Sequence, residues 1–430
     1  DTKNSASARN VCDYTVARNL CIGCGVCAGI CPRQVLAMRE NAFGEYIAVE
    51  ERRGCLERCD LCIQCCPFAD GPINESGLAT TQFAHQDNIS YSTETGYYLK
   101  VWAGHVLDPN HRNAASSGGL TTWFLMEAMK RGTIDRIVCV IPTDKDPANL
   151  FNYAVLDSLE SVISSAKSCY YPVQLSDAIR HILDSPGNYA VVGLPCFIKS
   201  IRLAMRSNRR LRNRVAVCIG LVCGQSKSKF FAEYICALGG GHPKYLKRVS
   251  FRTKDPQRPA KNYSARFKCS EGTTLEGEVL WKAGMGNAWK RGYFKPNACN
   301  FCDDIFAETA DIAFMDAWLE RYSSDPRGTN LVLARKGWIV DLFVEGALRH
   351  EIELQEGSLS DLITSQRGVI DTKRGALAKR LNVASSQLPY PPPIKRVQPQ
   401  PTSIIESIRI CLEQSVNHAS KRSFRLQRRY

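Results

Sequence analysis

The chain has 430 residues, 44% of them hydrophobic, and carries 56 Lys or Arg against 42 Asp or Glu for a formal charge of +14. That length supports two or three domains around a large buried core, and there is neither a secretory signal nor an apolar run of the eighteen or more residues that a membrane span needs. Twenty cysteines are many, but ten lie before residue 67 in closely spaced runs, which points to a reducing, cytoplasmic setting and away from disulfides.

The first run, Cys21-Ile-Gly-Cys24-Gly-Val-Cys27-Ala-Gly-Ile-Cys31-Pro32, is the C-x2-C-x2-C-x3-C-P signature of a bacterial 4Fe-4S ferredoxin. In two-cluster ferredoxins the fourth cysteine of such a run ligates the other cluster, so a second run is required. It follows as Cys55-x3-Cys59-x2-Cys62-x3-Cys66-Pro67, with one residue inserted between its first two cysteines. The expected ligation is crossed: Cys21, Cys24, Cys27 and Cys66 hold one cluster, and Cys55, Cys59, Cys62 and Cys31 hold the other. Cys65 is left over, and it replaces Cys62 or Cys66 if the insertion shifts the register. Zinc is the alternative occupant, but zinc sites place two C-x2-C pairs well apart and do not end in Cys-Pro.

Residues 1–78 are thus expected to form a ferredoxin-like domain, with a short strand at Phe43–Val49 between the cysteine runs. Residues 79–98, rich in Thr, Ser, Gln and Asn, read as a linker. From 99 to 345 the texture is α/β: a strand at Tyr98–Ala103, a helix over Leu120–Lys130 and a buried strand at Ile134–Ile141. A helix near 176–184, strand Tyr189–Val192, a basic helix to Met205 and strand Val215–Val222 continue the alternation. A helix over Ser226–Leu238 and a strand at Leu246–Phe251 precede hairpin-like strands at 263–281, which imply a mixed sheet. Strands at Asp311–Trp318 and Gly328–Arg335 follow. Residues 346–388 are expected to be a helical closing segment, and 389–430 a polyproline linker followed by a helix over 402–416 and a basic tail. From Pro389 onward there are eight Lys or Arg against Glu406 and Glu413, which reads as a solvated end or as a docking surface for an acidic partner. A nucleic-acid partner is not expected, because aromatic residues are not interleaved with the basic runs.

Three loops are expected between a strand and a helix, where open α/β sheets bind ligands. Ser116-Ser117-Gly118-Gly119 has the makeup of a phosphate cradle, with hydroxyl donors, close backbone approach and a helix N-terminus behind it. Cys196, Cys223 and the pair Cys299-x2-Cys302 occupy loops that would form a third 4Fe-4S site if the sheet brings them together. Otherwise Cys196 and Cys223 are small buried hydrophobes beside a lone redox pair. His105, His111 and His181 are available as acids, and none is singled out.

In order, the ferredoxin run, Ser-Ser-Gly-Gly before a helix, Gly193-Leu-Pro-Cys196, Ile219-Gly-Leu-Val-Cys223, Ala298-Cys-Asn-Phe-Cys302-Asp and Ala310-Asp-Ile-Ala-Phe-Met-Asp316-Ala-Trp318 resemble the family of coenzyme F-420 hydrogenase/dehydrogenase beta subunits. That family includes hydrogenase beta subunits, related dehydrogenase subunits and a plant 7-hydroxymethyl chlorophyll a reductase. The resemblance runs from about residue 15 to 345. It implies an FAD-binding α/β domain in which clusters feed a flavin that passes a hydride to or from a small organic substrate or a deazaflavin, with a ferredoxin or partner subunit as electron source. Carried over by position, Ser116, Ser117, Gly118 and Gly119 contact the FAD phosphates, Asn330 is a further flavin contact, and Cys196, Cys223, Cys299 and Cys302 hold the third cluster. Met315 stands where the family commonly has Gly, and Leu194 where Thr is common, and both put the substrate in question. A non-catalytic electron-transfer subunit docking on a catalytic partner is the alternative, and self-association as a homo-oligomer is compatible with either.

Overall fold

In the computed structural model, residues 10–56, 58–71, 73–143, 149–271, 273–387 and 393–427 are described. Eight strands form the central sheet: β1 (Lys100–Val106), β2 (Arg136–Pro142), β3 (Phe151–Leu156), β4 (Tyr189–Gly193), β5 (Val215–Leu221), β6 (Ile312–Asp316), β7 (Asn330–Ala334) and β8 (Ile352–Glu356), in the order β8-β1-β7-β6-β5-β4-β2-β3. The inner strands β2, β4, β5 and β6 run parallel, and the flanking pairings are antiparallel. The sheet is therefore mixed, as expected, although for a different reason. The strands at Ser264–Glu271 and Thr273–Leu280 pair with Leu246–Thr253 in a separate three-stranded sheet.

The sheet is covered on both faces, which is why β4 (Tyr-Ala-Val-Val-Gly) and β7 (Asn-Leu-Val-Leu-Ala) are buried at every position. Period-two alternation sorts the side chains. Ala190, Val192, Ile219, Phe314 and Val332 pack with helices Leu120–Lys130 and Gly337–Leu348 on one face. Val191, Cys218, Ala313, Leu331 and Leu333 pack on the other with helices Ser176–Asp184 and Pro195–Ser207, and with Val26, Ala28 and Leu36 of the N-terminal module. The cysteine-rich module is thereby part of the core. Its short antiparallel pair, Leu36–Glu40 with Tyr46–Glu50, lies between the cysteine runs.

Three expectations are corrected. Residues 79–98 are not a structureless linker, since they complete helix Glu75–Phe83 and form the hairpin Ser90–Ser92/Gly96–Tyr98. The segment after 345 is not purely helical, because β8 adds an edge strand there. The basic tail is folded into helix Ile404–Gln427, held by a Lys421–Glu45 ion pair at 2.8 Å and by Asn417, which exchanges hydrogen bonds with the Lys295 backbone. The Pro-rich arm begins among residues 388–392, outside the described residues. From 393 it is pinned, with Ile394 N–H donating to Asp70 at 2.8 Å and Arg396 pairing with Glu308 at 2.7 Å.

Arg335 is fully buried at the end of β7. Its guanidinium donates to the carbonyls of Tyr97 (2.8 Å), Ala310 (3.0 Å), Thr95 (3.1 Å) and Phe306 (3.1 Å), tying the 90–98 hairpin to the core. Arg335→Met would strand these acceptors while removing a desolvated charge, so the net loss is expected to be about 2–3 kcal/mol. A fall in the chemical-denaturation midpoint measures it, and an unchanged midpoint would show that the four bonds contribute nothing net.

Candidate functional site

The first cysteine run turns sharply because Gly23 and Gly25 adopt left-handed backbone (φ 76° and 80°). A Cβ on Gly25 would lie 2.7 Å from Gln174 Oε1 and 2.9 Å from Leu175 N, so the position takes glycine for space as well as conformation. The turn starts the short helix Val26–Gly29 and gathers Cys21, Cys24 and Cys27 with Cys66. Burial pushes the Cys21 thiol up to about 12 and Cys24 to about 11, with the neighbouring Cys66 raising both further. Cys24 Sγ lies 3.5 Å from Ser200 Oγ, and Cys66 Sγ lies 3.4 Å from Thr15 Oγ1. Cys62 is pushed up to about 12 by burial and then by Cys55, Cys31 and Cys59, which surround it. Cys66 thus lies with Cys21 and Cys24, and Cys31 with Cys55, Cys59 and Cys62, while Cys65 stands beside Cys27 as well. Cys65 is fully buried beside Cys66 and Cys24, with its Sγ donating to the Cys62 carbonyl at 3.4 Å.

A third group forms at the carboxyl ends of the parallel strands. Cys196 sits in the first turn of helix Pro195–Ser207 after β4, Cys223 lies two residues beyond β5, and Cys299 and Cys302 flank the end of the 3-10 turn Asn297–Phe301. Burial raises the Cys196 thiol well above its usual value, with Cys302, Cys223 and Cys299 adding to the effect. Ser226 N–H donates to Cys299 Sγ at 3.3 Å, and Lys373 Nζ to Cys302 Sγ at 3.1 Å. Lys373 has no motif around it and is legible only in three dimensions. In all three groups a thiolate is disfavoured unless a cationic centre compensates it, which is what an iron–sulfur core supplies. Among the described residues no three His, Cys, Asp or Glu side chains converge as closely as a single metal ion requires. A cubane, with its irons at separate corners, holds its thiolates further apart.

Between these groups lies a cavity of about 530 Å³, within the range of cofactor sites. Cys21 and Tyr46 of the N-terminal module, Leu194 and Cys223 at the strand ends, Arg252 and Tyr263 at the smaller sheet, and Trp289 on helix Met285–Lys290 all line it. So do Ser116, Ser117, Gly119 and Asn330. The Ser-Ser-Gly-Gly loop follows the short helix Pro109–Ala114, not a strand as expected. Ser116 Oγ accepts from Ser168 N–H at 2.7 Å, and Ser117 Oγ donates to the Thr329 carbonyl at 2.9 Å. Gly118 is packed against backbone: a Cβ there would lie 2.7 Å from Gly104 O and 2.9 Å from Asn330 N. Gly119 (φ 87°) starts helix Leu120–Lys130, and Asn330 Oδ1 accepts the first N–H of that helix at 3.1 Å. Asn330 therefore braces the cradle as well as facing the cavity. Two glycines at the helix start, with Thr121, Thr122 and the cations Lys167, Arg252 and Lys261 lining the same cavity, suit a phosphate-bearing group.

Several residues in the cavity wall or behind it carried no sequence signal. Arg252 Nη1 donates to both carboxylate oxygens of Asp316 at 2.8 and 2.7 Å, and its guanidinium lies over the Tyr263 and Trp318 rings at 4.8 and 5.2 Å. Lys254 Nζ donates to the carbonyls of Arg112 (2.5 Å) and Ser117 (2.7 Å), directly behind the cradle. Burial, with Arg252, Lys167 and Arg112 nearby, brings its pKa down to about 7. None of His105, His111 and His181 lines the cavity, and His105 lies 3.7 Å from Glu353 on the outer strands.

Comparison with known proteins gives a consistent result. Residues 14–37 match a 4Fe-4S binding domain, residues 101–180 match the N-term of the coenzyme F420 hydrogenase/dehydrogenase, beta subunit, and residues 187–359 match its C terminus. A subunit of the F(420)H(2) dehydrogenase of Methanosarcina mazei is 24% identical over 217 residues, which are 49% of this chain and 55% of that one, so the match spans about half of that relative. An uncharacterized protein of Methanocaldococcus jannaschii is 24% identical over 354 residues, 77% of this chain and 88% of the relative. A chain of the F420-reducing [NiFe] hydrogenase complex from Methanosarcina barkeri shares the fold, with a TM-score of 0.50 and 17% identity over 68% of this chain and 95% of that one. No helix among the described residues is long and apolar enough to cross a membrane. With a 4Fe-4S binding domain in front and both halves of the beta subunit matched in order behind it, the chain belongs to the family of coenzyme F420 hydrogenase/dehydrogenase beta subunits.

Proposed function

We propose that the protein is an iron–sulfur flavoprotein oxidoreductase that moves electrons between a ferredoxin-type donor or partner subunit and an organic substrate or deazaflavin. The observation that carries this reading is that a single cofactor-sized cavity touches two of the thiol groups, through Cys21 and Cys223, and the Ser116–Gly119 cradle. In this reading Cys21, Cys24, Cys27 and Cys66 hold one 4Fe-4S cluster, Cys31, Cys55, Cys59 and Cys62 a second, and Cys196, Cys223, Cys299 and Cys302 a third. FAD bound in the cavity would supply the exchange between single electrons and a hydride. The cradle and the Leu120 helix end take its phosphates, and Asn330 keeps that helix end in place. Tyr170, Tyr263, Trp289 and Trp318 wall the cavity and exclude water, and the Arg252–Asp316 pair holds a fixed charge distribution at the strand ends.

Iron, sulfide and flavin content of anaerobically purified protein tests the reading. About twelve irons with one FAD are expected. Eight irons with FAD would remove the third cluster, and eight irons without flavin, even after reconstitution, would leave an electron-transfer subunit docking on a catalytic partner.

Gly118→Ala should abolish flavin retention without changing iron content, since its Cβ would press on backbone that cannot yield cheaply. Gly337→Ala, whose Cβ meets nothing within 4 Å and which lies away from the cavity lining, is the control. Full flavin retention by the Gly118 variant would show that the cradle is elsewhere.

Lys254 gives a pH dependence. A bound phosphate favours its charged form, so flavin affinity should be flat below about pH 7, where Lys254 is already protonated, and should fall as pH rises above it. Lys254→Met should flatten the profile and Lys254→Arg should keep affinity high throughout. Equilibrium flavin titration across pH reads this, and a wild-type profile in the Met variant would exclude Lys254.

A further inference from the structure

We infer that Lys373 is a positioning residue that raises the reduction potential of the cluster proposed at Cys196, Cys223, Cys299 and Cys302, by holding an unneutralised positive charge against Cys302 Sγ. The inference rests on the cluster reading above. Lys373 lies on the five-residue π-helical turn Asp371–Gly375, beyond the end of the family match at residue 359. Such turns displace one side chain from the surrounding helical register. Here the turn sends a lysine inward: Lys373 is 3% exposed, with Nζ 3.1 Å from Cys302 Sγ and 2.7 Å from the Asp304 carbonyl.

Most of the neighbouring acids are committed to other cations. Among the described residues no carboxylate forms an ion pair with Lys373. The nearby buried acids have their own partners: Glu308 pairs with Arg374 at 3.2 Å and with Arg396 at 2.7 Å, and Asp303 pairs with Arg396 at 3.4 Å. Asp304, which accepts from the Glu308 N–H at 3.3 Å, faces Arg396 as well as Lys373 and forms no ion pair with the lysine. By contrast, the polar side chains against the first thiol group are hydroxyls: Cys24 Sγ donates to Ser200 Oγ at 3.5 Å, and Cys66 Sγ lies 3.4 Å from Thr15 Oγ1. The nearby Lys199 is neutralised by Glu75 at 2.9 Å. Of the two groups that reach the cavity, the third is the one that receives a full cation on a sulfur.

Reduction of a 4Fe-4S core adds one electron and no proton, taking the thiolate-ligated cluster from a net charge of about −2 to about −3. A buried ammonium in contact with a ligand sulfur stabilises the reduced form more than the oxidised one, because the attraction grows with the added charge and is weakly screened there. Lys373 thus favours an electron on the third cluster, beside the cavity.

The test is a redox titration of the whole protein, followed by electron paramagnetic resonance, on wild type and on Lys373→Met, Lys373→Gln and Lys373→Arg. In the Met and Gln variants, the reduced-to-oxidised ratio of one cluster at fixed ambient potential should fall at least tenfold, about 59 mV for one electron. The other two clusters should not move, and Lys373→Arg should stay near wild type. Twelve irons with unmoved potentials in both neutral variants would overturn the inference and leave the cluster reading intact. If Lys373→Met loses the cluster, the Gln and Arg variants decide: a Gln variant that titrates like Arg overturns the role of charge. Eight irons in the wild type would sink the cluster reading itself, and this inference with it.

Discussion

A thiolate taken out of water must be met by positive charge, or it remains a thiol. Three groups of cysteines are placed in or near the interior of this chain, and the thiols for which a shift is resolved are all driven up. The architecture around them follows from that demand. Two cysteine runs are folded against each other, with Cys66 of the second beside Cys21 and Cys24 of the first and Cys31 of the first beside Cys62 of the second. The module they form is not an appendage, since Val26, Ala28 and Leu36 share a core with the central sheet. Electron transfer needs short distances between centres, and a common core keeps them short without a hinge.

The cavity is a product of topology. Four parallel strands end at one edge of the sheet, and that edge is where loops can approach a ligand without disturbing the ladder. Residues Leu194, Cys223, Met315 and Asp316 all come from that edge, while Cys21 and Tyr46 arrive from the N-terminal module, Arg252 and Tyr263 from the smaller sheet, and Trp289 from the helix that follows it. Met315 and Leu194, bulkier than the residues common at those positions in the family, both face the cavity and narrow the space beside the cradle. The Arg252–Asp316 pair joins the smaller sheet to the central one.

The C-terminal segment performs a similar service on the far side of the third thiol group. Arg396 reaches Glu308 and Asp303, Lys395 lies 4.9 Å over the Phe68 ring next to the second cysteine run, and Lys421 pairs with Glu45. The positive charge that reads as a loose basic tail is in part spent on buried acids of the core.

The sequence by itself determined the local features. The spacing of Cys21, Cys24, Cys27 and Cys31 and the Cys-Pro endings announce the cluster-binding run. The helices Leu120–Lys130 and Ser176–Asp184 and strands β4 and β7 follow from hydrophobic periods within one segment, and the ordered set of short motifs identified the family. What only the tertiary structure decided lies between segments. The hairpin at 264–280 joined a separate sheet, because its register is set by Leu246–Thr253 and not by its own alternation. Residues 79–98 and β8 are ordered by partners far along the chain, Arg335 and β1, that no local pattern reveals. Arg252 is 64 residues from Asp316 and Lys373 is 71 residues from Cys302. Such pairings depend on how the loops close over the sheet edge, and a charge placed by packing leaves no periodicity or spacing in the sequence to be read.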